Sequence, residues 1–554
     1  MRIDRFLLLT AAALLAGACA EKPYGPVPSP AQLEWQEMEM NLFCHFGPNT
    51  FTGREWGDGT ETEDLFNPSA LDCRQWAATA KAAGFKGIII TAKHHDGFCL
   101  WPNPVSSHTV AQSAWKDGKG DVLKELSDAC REYGLKFGVY ISPWDRNDPH
   151  YGTPEYNQVF VRTLESALGG TYGPVFEQWF DGACGEGPNG KRQEYDWPLF
   201  NGTVLKLQPQ AVIFSDVGPG CRWMGNEAGR AGRTNWSRLE TEGFEPGKAS
   251  PSLDTLNQGN RHGSRWIPAE TDVSIRPGWF WKASETPRLK SLQHLLRIYY
   301  ESVGRNSLLL LNVPPDTTGR LDRADSTRLM EFRSALDAIF ARDLADKARI
   351  RRKGNTWTVT LRKAVPFNRL VLQEDITKGQ RIAAFTVEVQ KDNGEWEPVA
   401  SETTVGYKRI VLLPDRTARR LRIRVDETLA RPLLSHIALF QDDIYQEKTE
   451  EEDPGTVHGL SEIRYLDLGE VKDVQGFHYT PAAKGRGGVI IDYRLEASED
   501  GTRWTVVEEG MFDNIVNNPV RNEVRKPFTA RYIKLVPVRS SNGTTYGIAD
   551  FGII

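Results

Sequence analysis

Between residues 36 and 340, short apolar runs alternate with amphipathic stretches, and this alternation narrows the available folds more than any other feature of the chain. Asn41 to His45, Gly87 to Lys93, Phe137 to Ile141, Val175 to Phe180, Ala211 to Ser215 and Leu308 to Leu311 read as strands. Their apolar residues run together instead of alternating, as in parallel strands buried on both faces. Helical patterns lie between them: Trp76 to Ala83, Asp121 to Tyr133 and Tyr156 to Leu168, which stop at Gly84, Gly134 and Gly169, and Lys290 to Val303. Repeated β-then-α over such a length predicts an α/β fold, a (β/α)-barrel over residues 36–344. No Gly-rich dinucleotide fingerprint is present, which removes the main open-sheet alternative.

After residue 345 the pattern changes to period-two strands with turn signals. Phe385-Thr-Val-Glu-Val-Gln-Lys-Asp-Asn-Gly-Glu-Trp396 is echoed by Tyr493-Arg-Leu-Glu-Ala-Ser-Glu-Asp-Gly-Thr-Arg-Trp504. Arg420-Leu-Arg-Ile-Arg is echoed by Arg531-Tyr-Ile-Lys-Leu. The repeat spacing suits one β-sandwich each, so two β-sandwich domains are expected, 345–446 and 455–554. The boundary falls in the acidic, Pro- and Gly-containing stretch from Glu447 to Gly459.

The N-terminus reads as a targeting segment over residues 1–20. Arg2 and Arg5 precede an apolar run from Phe6 to Ala18 that is too short to cross a bilayer. Cleavage after Ala20 would give a soluble exported protein. Leu15-Ala16-Gly17-Ala18-Cys19 also resembles a bacterial lipobox, with its leucine one place further out than usual, so Cys19 is a candidate lipid anchor. The Pro-rich residues 21–35 would then be a tether. The expected location is the periplasm or the outer membrane of a bacterium, with membrane contact only through Cys19. The six later cysteines are scattered with no CxxC pair; an exported chain allows a disulfide framework, but the apolar settings of Cys44, Cys99 and Cys130 favour buried free thiols. A net charge of -5 excludes a dedicated nucleic-acid binder, which needs a basic face. Sixteen tryptophans fit a sugar cleft and a packed core equally well.

In a (β/α)-barrel, reactive groups gather where strands end. The strand ends here carry His45, His94, His95, Tyr140, Asp181 and Asp216. On a regular strand His94 and His95 face opposite ways, so both reach one site only where the strand breaks, as Asp96-Gly97 indicates. Two reaction classes use such a set. Metal-assisted hydrolysis would draw on His45, His94, His95 and Asp96, but no HExxH-type spacing supports it. Glycoside hydrolysis needs an ionised carboxylate and a protonated acid, about 5–5.5 Å apart for retention. Asp181, in Trp179-Phe180-Asp181-Gly182, fits the first role. Glu227, in Gly225-Asn226-Glu227-Ala228-Gly229, leads for the second, and Glu270 is its reserve.

The stretches NLFCHFGPNTFTGREWGDG (41–59), TAKHHDGFCLWP (91–102), GVYISPWDRN (138–147), WFDGACGEGPNG (179–190), SDVGPGCRWMGNEAG (215–229) and SIRPGWFWK (274–282) resemble the α-L-fucosidases of glycoside hydrolase family 29, more narrowly the α1,3/4-selective subfamily. The resemblance implies a retaining exo-enzyme that releases fucose from branched Lewis-type glycans and requires no cofactor or metal. It implies Asp181 as nucleophile and Glu227 as acid/base. It implies that His45, Glu55, Trp56, His94, His95 and Tyr140 hold the sugar and that Trp179 and Trp281 line the pocket. One departure is Gly220, where the subfamily pattern has an acidic residue, which bears on contacts to the leaving-group sugar. Two alternatives are a fucosidase of broad linkage range and a glycan-binding surface protein with a dead barrel. Residues 455–554 resemble discoidin-like carbohydrate-binding modules through Tyr465-Leu-Asp-Leu-Gly469, Ser498 to Trp504 and Ala530 to Leu535. Those residues build a sandwich and leave sugar binding there open.

Overall fold

The structure is a computed structural model that describes residues 21–446, 456–482, 485–517 and 527–554. The targeting segment and Cys19 lie outside the described residues. Eight parallel strands close into a barrel: β1 (Met40–Cys44), β2 (Gly87–Lys93), β3 (Lys136–Ile141), β4 (Val175–Trp179), β5 (Val212–Ser215), β6 (Cys221–Trp223), β7 (Ala269–Ser274) and β8 (Ser307–Asn312). Each pairs with its neighbours in chain order, and β1 closes on β8 through Leu42↔Leu311. β1, β2, β7 and β8 are buried along their whole length, which explains the unbroken apolar runs of β1, β2 and β8.

β6 and β7 are the two strands that the apolar pattern misses. β6 has three residues and carries Arg222, fully buried, whose guanidinium donates to the Leu256 carbonyl and to Asn235 Oδ1. β7 reads Ala-Glu-Thr-Asp-Val-Ser, and its acids point into the barrel. Local chemistry sets the helix ends. Helix Val122–Tyr133 begins at Asp121, whose carboxylate accepts the Lys124 N–H, and stops at Gly134, φ 65°. Its buried face is Val122, Leu123, Leu126 and Ala129.

Residues 21–35 do not hang as a tether. Arg381 donates to the Lys22 carbonyl, Arg238 to the Tyr24 carbonyl, and the Tyr24 N–H to the Lys378 carbonyl. Pro30–Met38 is a helix with a capping box at Ser29. Two long bulged strands, Thr356–Glu374 and Arg409–Thr428, organise a six-stranded sheet around one core of Trp357, Phe367, Phe385, Leu421 and Ile423. In the C-terminal domain a four-stranded sheet and two short strand pairs enclose Phe477, Tyr493, Phe512, Ile533 and Tyr546. The two echoed segments form the same unit. Ile382–Gln390 pairs with Trp396–Glu402 and then with Arg409–Thr428; Ile490–Ser498 pairs with Thr505–Met511 and then with Phe528–Ser540. The described cysteines are free; five are buried and Cys184 is half-buried.

Candidate active site

The C-terminal ends of the barrel strands converge on a cavity of about 310 Å³. Its lining includes His45, Glu55, Trp56, His94, His95, Trp179, Asp181 and Glu227. β2 ends at Lys93, so His94 and His95 leave strand geometry and lie side by side, ring centroids 4.1 Å apart.

Asp181 follows β4. Its Oδ1 accepts the Ala183 N–H at 2.7 Å and its Oδ2 accepts the Tyr140 hydroxyl at 2.9 Å. His95 Nε2 is 3.7 Å from the same Oδ2. Tyr140 thus reaches the site through Asp181, its ring stacked 5.3 Å from Trp179. Crowding by the walls raises the Asp181 carboxyl above the ordinary carboxylate range, and the two donors pull it back. The side chain remains 28% exposed, toward the cavity.

Glu227 follows β6, one strand later than the Ser215 strand. Its Oε2 accepts Trp279 Nε1–H at 2.9 Å, and both its oxygens lie 2.9 Å from Asn514 Nδ2 of the C-terminal domain. Burial pushes its carboxyl up to about 7, against those donors, and the charge of Asp181 adds to the rise. The carboxyls therefore sense each other across the cavity.

Burial keeps the imidazoles neutral, and hydrogen bonding sets the tautomer of His45 and His95. Asn312 Nδ2 donates to Ser274 Oγ and to the Trp279 carbonyl, so its Oδ1 is the acceptor for His45 Nδ1–H at 2.9 Å. Ser142 Oγ donates to the Trp144 carbonyl and so accepts His95 Nδ1–H at 2.9 Å. His45 Nε2 and His95 Nε2 are then the acceptor nitrogens of the two rings. Burial lowers His45 to about 3 and holds His94 and His95 well below the usual imidazole value. Glu55 Oε2 accepts the Trp279 N–H at 2.8 Å, and Glu55 Oε1 pairs with Lys282 Nζ at 3.0 Å.

Trp281 is not in the cavity lining. Its indole N–H donates to Asp322, and its ring lies under the Arg276 guanidinium, 5.6 Å away. Trp279 takes the position instead. Its backbone is pinned between Glu55 and Asn312, and Gly278 leaves no room for a side chain: a Cβ there would meet Glu55 Oε1 at 2.4 Å. Two tryptophans two residues apart in Gly278-Trp-Phe-Trp281 look alike in sequence; only the anchoring of the loop separates them.

Glu270 lies in β7, fully buried and outside the cavity lining. It accepts Trp179 Nε1–H at 2.7 Å and lies with a carboxyl oxygen within 4.8 Å of one of Glu177, which in turn accepts Trp35 Nε1–H at 2.7 Å. Burial raises both carboxyls. Gly220 is also remote. It precedes β6 and is outside the cavity lining, and a Cβ there would lie 2.4 Å from the Ile213 nitrogen. Among the described residues, the donor atoms that approach one another within 4.8 Å as metal ligands would are those of Glu177, Cys221 and Glu270, not those of His45, His94, His95 and Asp96.

Further cavity residues are Phe43, Phe214, Asp216, Trp223, Asp272 and Asn517. Asp216 ends β5 and accepts the Ser250 hydroxyl. Asp272, in β7, is raised well above the usual carboxylate range, by burial and by the charge of Glu227.

Over residues 24–337 the chain matches the family model described as alpha-L-fucosidase. It is 43% identical to alpha-L-fucosidase 1 of Arabidopsis thaliana over 454 residues, covering 76% of this chain and 88% of that protein. The chain belongs to the α-L-fucosidases of glycoside hydrolase family 29. A glycoside hydrolase 29 family member from an unknown rumen bacterium superposes with TM-score 0.74 at 39% identity, over 96% of this chain and all of that one. A Ruminococcus gnavus GH29 fucosidase in complex with fucose gives TM-score 0.69 at 31% identity, over 77% and 97% of the two chains. Residues 455–550 match the F5/8 type C domain model, and 347–423 match a model described as NedA-like, galactose-binding domain.

Proposed function

We propose that this fucosidase is a retaining exo-enzyme that cleaves α1,3/4-linked fucose from branched glycans, with Asp181 as nucleophile and Glu227 as acid/base. One observation carries the reading: two carboxyls share one cavity in unlike settings, Asp181 bonded to a backbone N–H and a phenol, Glu227 bonded to an indole and an amide and pushed up by burial to about 7. Asp181 is held by a backbone N–H and a phenol, donors that favour its ionised form. Glu227 keeps its proton to about pH 7. Such a split is what acid and nucleophile require.

In the reaction, Asp181 attacks the anomeric carbon while Glu227 hands its proton to the glycosidic oxygen. Glu227, now ionised, next draws a proton from water, which hydrolyses the fucosyl ester. Charge develops at the ring oxygen and hydroxyls as the bond breaks. His45 and His95, already oriented by Asn312 and Ser142, accept from the hydroxyls without reorganising. Phe43, Trp179 and Trp279 offer an apolar wall for the C5 methyl. The α1,3/4 preference rests on the Arg222-Trp-Met-Gly-Asn-Glu227 segment that supplies the acid. No metal or cofactor enters the chemistry. We further propose export, with Cys19 as lipid anchor.

The test is a panel of an aryl fucoside, Lewis a, Lewis x and a 2′-linked fucoside. The branched substrates should be turned over strongly and the other two weakly. Equal rates on all four would contradict the linkage assignment.

A further inference from the structure

Glu227 is touched by a residue that does not belong to the barrel. Thr505–Met511 ends at a tight turn whose flanks are plugged into the C-terminal core. Phe512 is 2% exposed and stacks on Tyr493 with centroids 4.3 Å apart; Ile515 is 1% exposed. The Phe512 N–H is tied to the Ile491 carbonyl at 2.8 Å. Between those plugs, Asn514 stands at φ 55°, a left-handed conformation that asparagine adopts more readily than most residues. The turn thus holds Asn514 out from the sandwich at a fixed place.

That place is the mouth of the catalytic cavity, which both Asn514 and Asn517 line. Asn517 Nδ2 donates to Asn514 Oδ1 at 3.2 Å, so the Asn514 amide presents its nitrogen to Glu227. From there Nδ2 is 2.9 Å from each carboxyl oxygen. The barrel strands form the floor of the cavity, whereas Asn514 enters from another domain. A sugar joined through the glycosidic oxygen beside Glu227 must extend away from the floor, past these two amides, whose donors and acceptors match sugar hydroxyls.

We propose that the C-terminal domain completes the active site: Asn514 is a positioning residue for Glu227, and with Asn517 it walls the subsite that receives the leaving-group sugar. This rests on the reading of Glu227 as acid/base. The donated bonds orient the carboxyl toward the glycosidic oxygen. They also favour its ionised form, opposing burial, so Asn514 keeps the acid from becoming too weak to release its proton. The discoidin-like domain is then part of the catalytic unit as well as a module beside it.

The test uses the full chain with Asn514→Gly, which keeps the left-handed backbone without strain, Asn514→Asp, which places a like charge against Glu227, and Asn517→Ala. Each is assayed on a fucosylated oligosaccharide and on a nitrophenyl fucoside, whose leaving group needs little protonation. With Asn514→Gly, kcat/KM for the oligosaccharide should fall on the order of tenfold more than for the aryl fucoside, the value of a hydrogen bond to a charged group. The alkaline limb of the pH profile should move up, and further up with Asn514→Asp. Asn517→Ala should raise KM for the oligosaccharide selectively. An unmoved alkaline limb with both substrates affected equally, or not at all, would overturn the proposal. Glu227→Ala is the separate control: if it kept full activity on the oligosaccharide, the acid/base reading itself would fail, whatever Asn514 does.

Discussion

Asp181 accepts a backbone N–H and a phenol hydroxyl, whereas Glu227 accepts only side-chain N–H groups in a crowded part of the cavity. The pH dependence follows from that contrast. As pH falls, Asp181, raised by burial from the ordinary aspartate value, gains a proton and can no longer serve as the proposed nucleophile. As pH rises through about 7, Glu227 loses the proton it must donate. The profile of kcat/KM should be bell-shaped, the two limbs belonging to the coupled pair. A flat rate from pH 6 to 9 would contradict the assignment. Trp279 and Trp281 give a second comparison. Trp279→Phe removes the indole donor to Glu227; activity should fall about tenfold or more and the alkaline limb should rise. Trp281→Phe, remote from the cavity, should change activity much less. The reverse order in steady-state kinetics would restore Trp281 to the site. Glu270 is tested by linkage. Glu177 and Glu270 are both raised in the folded protein, so it retains a proton that the unfolded chain has already released. Stability therefore falls as pH rises from the ordinary glutamate value of about 4.5 through about 7. Glu270→Gln keeps a donor for Glu177 and an acceptor for Trp179, so its melting temperature should drop less between pH 5 and 8, with turnover retained. Loss of turnover as severe as that of Glu227→Gln would sink this reading.

The barrel strands and their helices carry the site by presenting loops. Helix Val122–Tyr133 shows how little of that scaffold concerns chemistry. Asp121 caps it and also accepts the Tyr172 hydroxyl at 3.0 Å. Asp121→Ala should cost about 1–2 kcal/mol in denaturant unfolding and leave KM unchanged. Elements of this kind are legible in sequence, because an apolar stripe, an N-cap and a stop glycine are local. β6 and β7 were not, because their buried positions carry Arg222, Glu270 and Asp272 where an apolar run would announce them. The site was legible in the same measure. Strand-end positions mark His45, His94, His95 and Asp181. Asn514, in a turn nearly three hundred residues beyond Glu227, has no local signal, since only the docking of the last domain brings it to the barrel.

At the scale of the molecule, the barrel and the last domain together line the cavity. The middle domain is fastened to the barrel through buried polar contacts, among them Gln380 to the Asn235 carbonyl and Asn235 N–H to Thr404. The last domain reaches Glu227, through Asn514. None of the steps assigned to these residues routes through a metal, so strong chelation should leave the rate unchanged; inactivation restored by a divalent cation would replace the mechanism. The central claim is that Asp181 forms a covalent bond to fucose. The measurement that tests it most directly is peptide mass mapping after incubation with a 2-deoxy-2-fluoro-fucosyl fluoride, which forms the glycosyl-enzyme but hydrolyses slowly. The account predicts one fluorofucosyl adduct, on the peptide containing Asp181 and absent in Asp181→Ala. An adduct on another carboxylate, or turnover of the reagent with no adduct and an inverted sugar product, would contradict it.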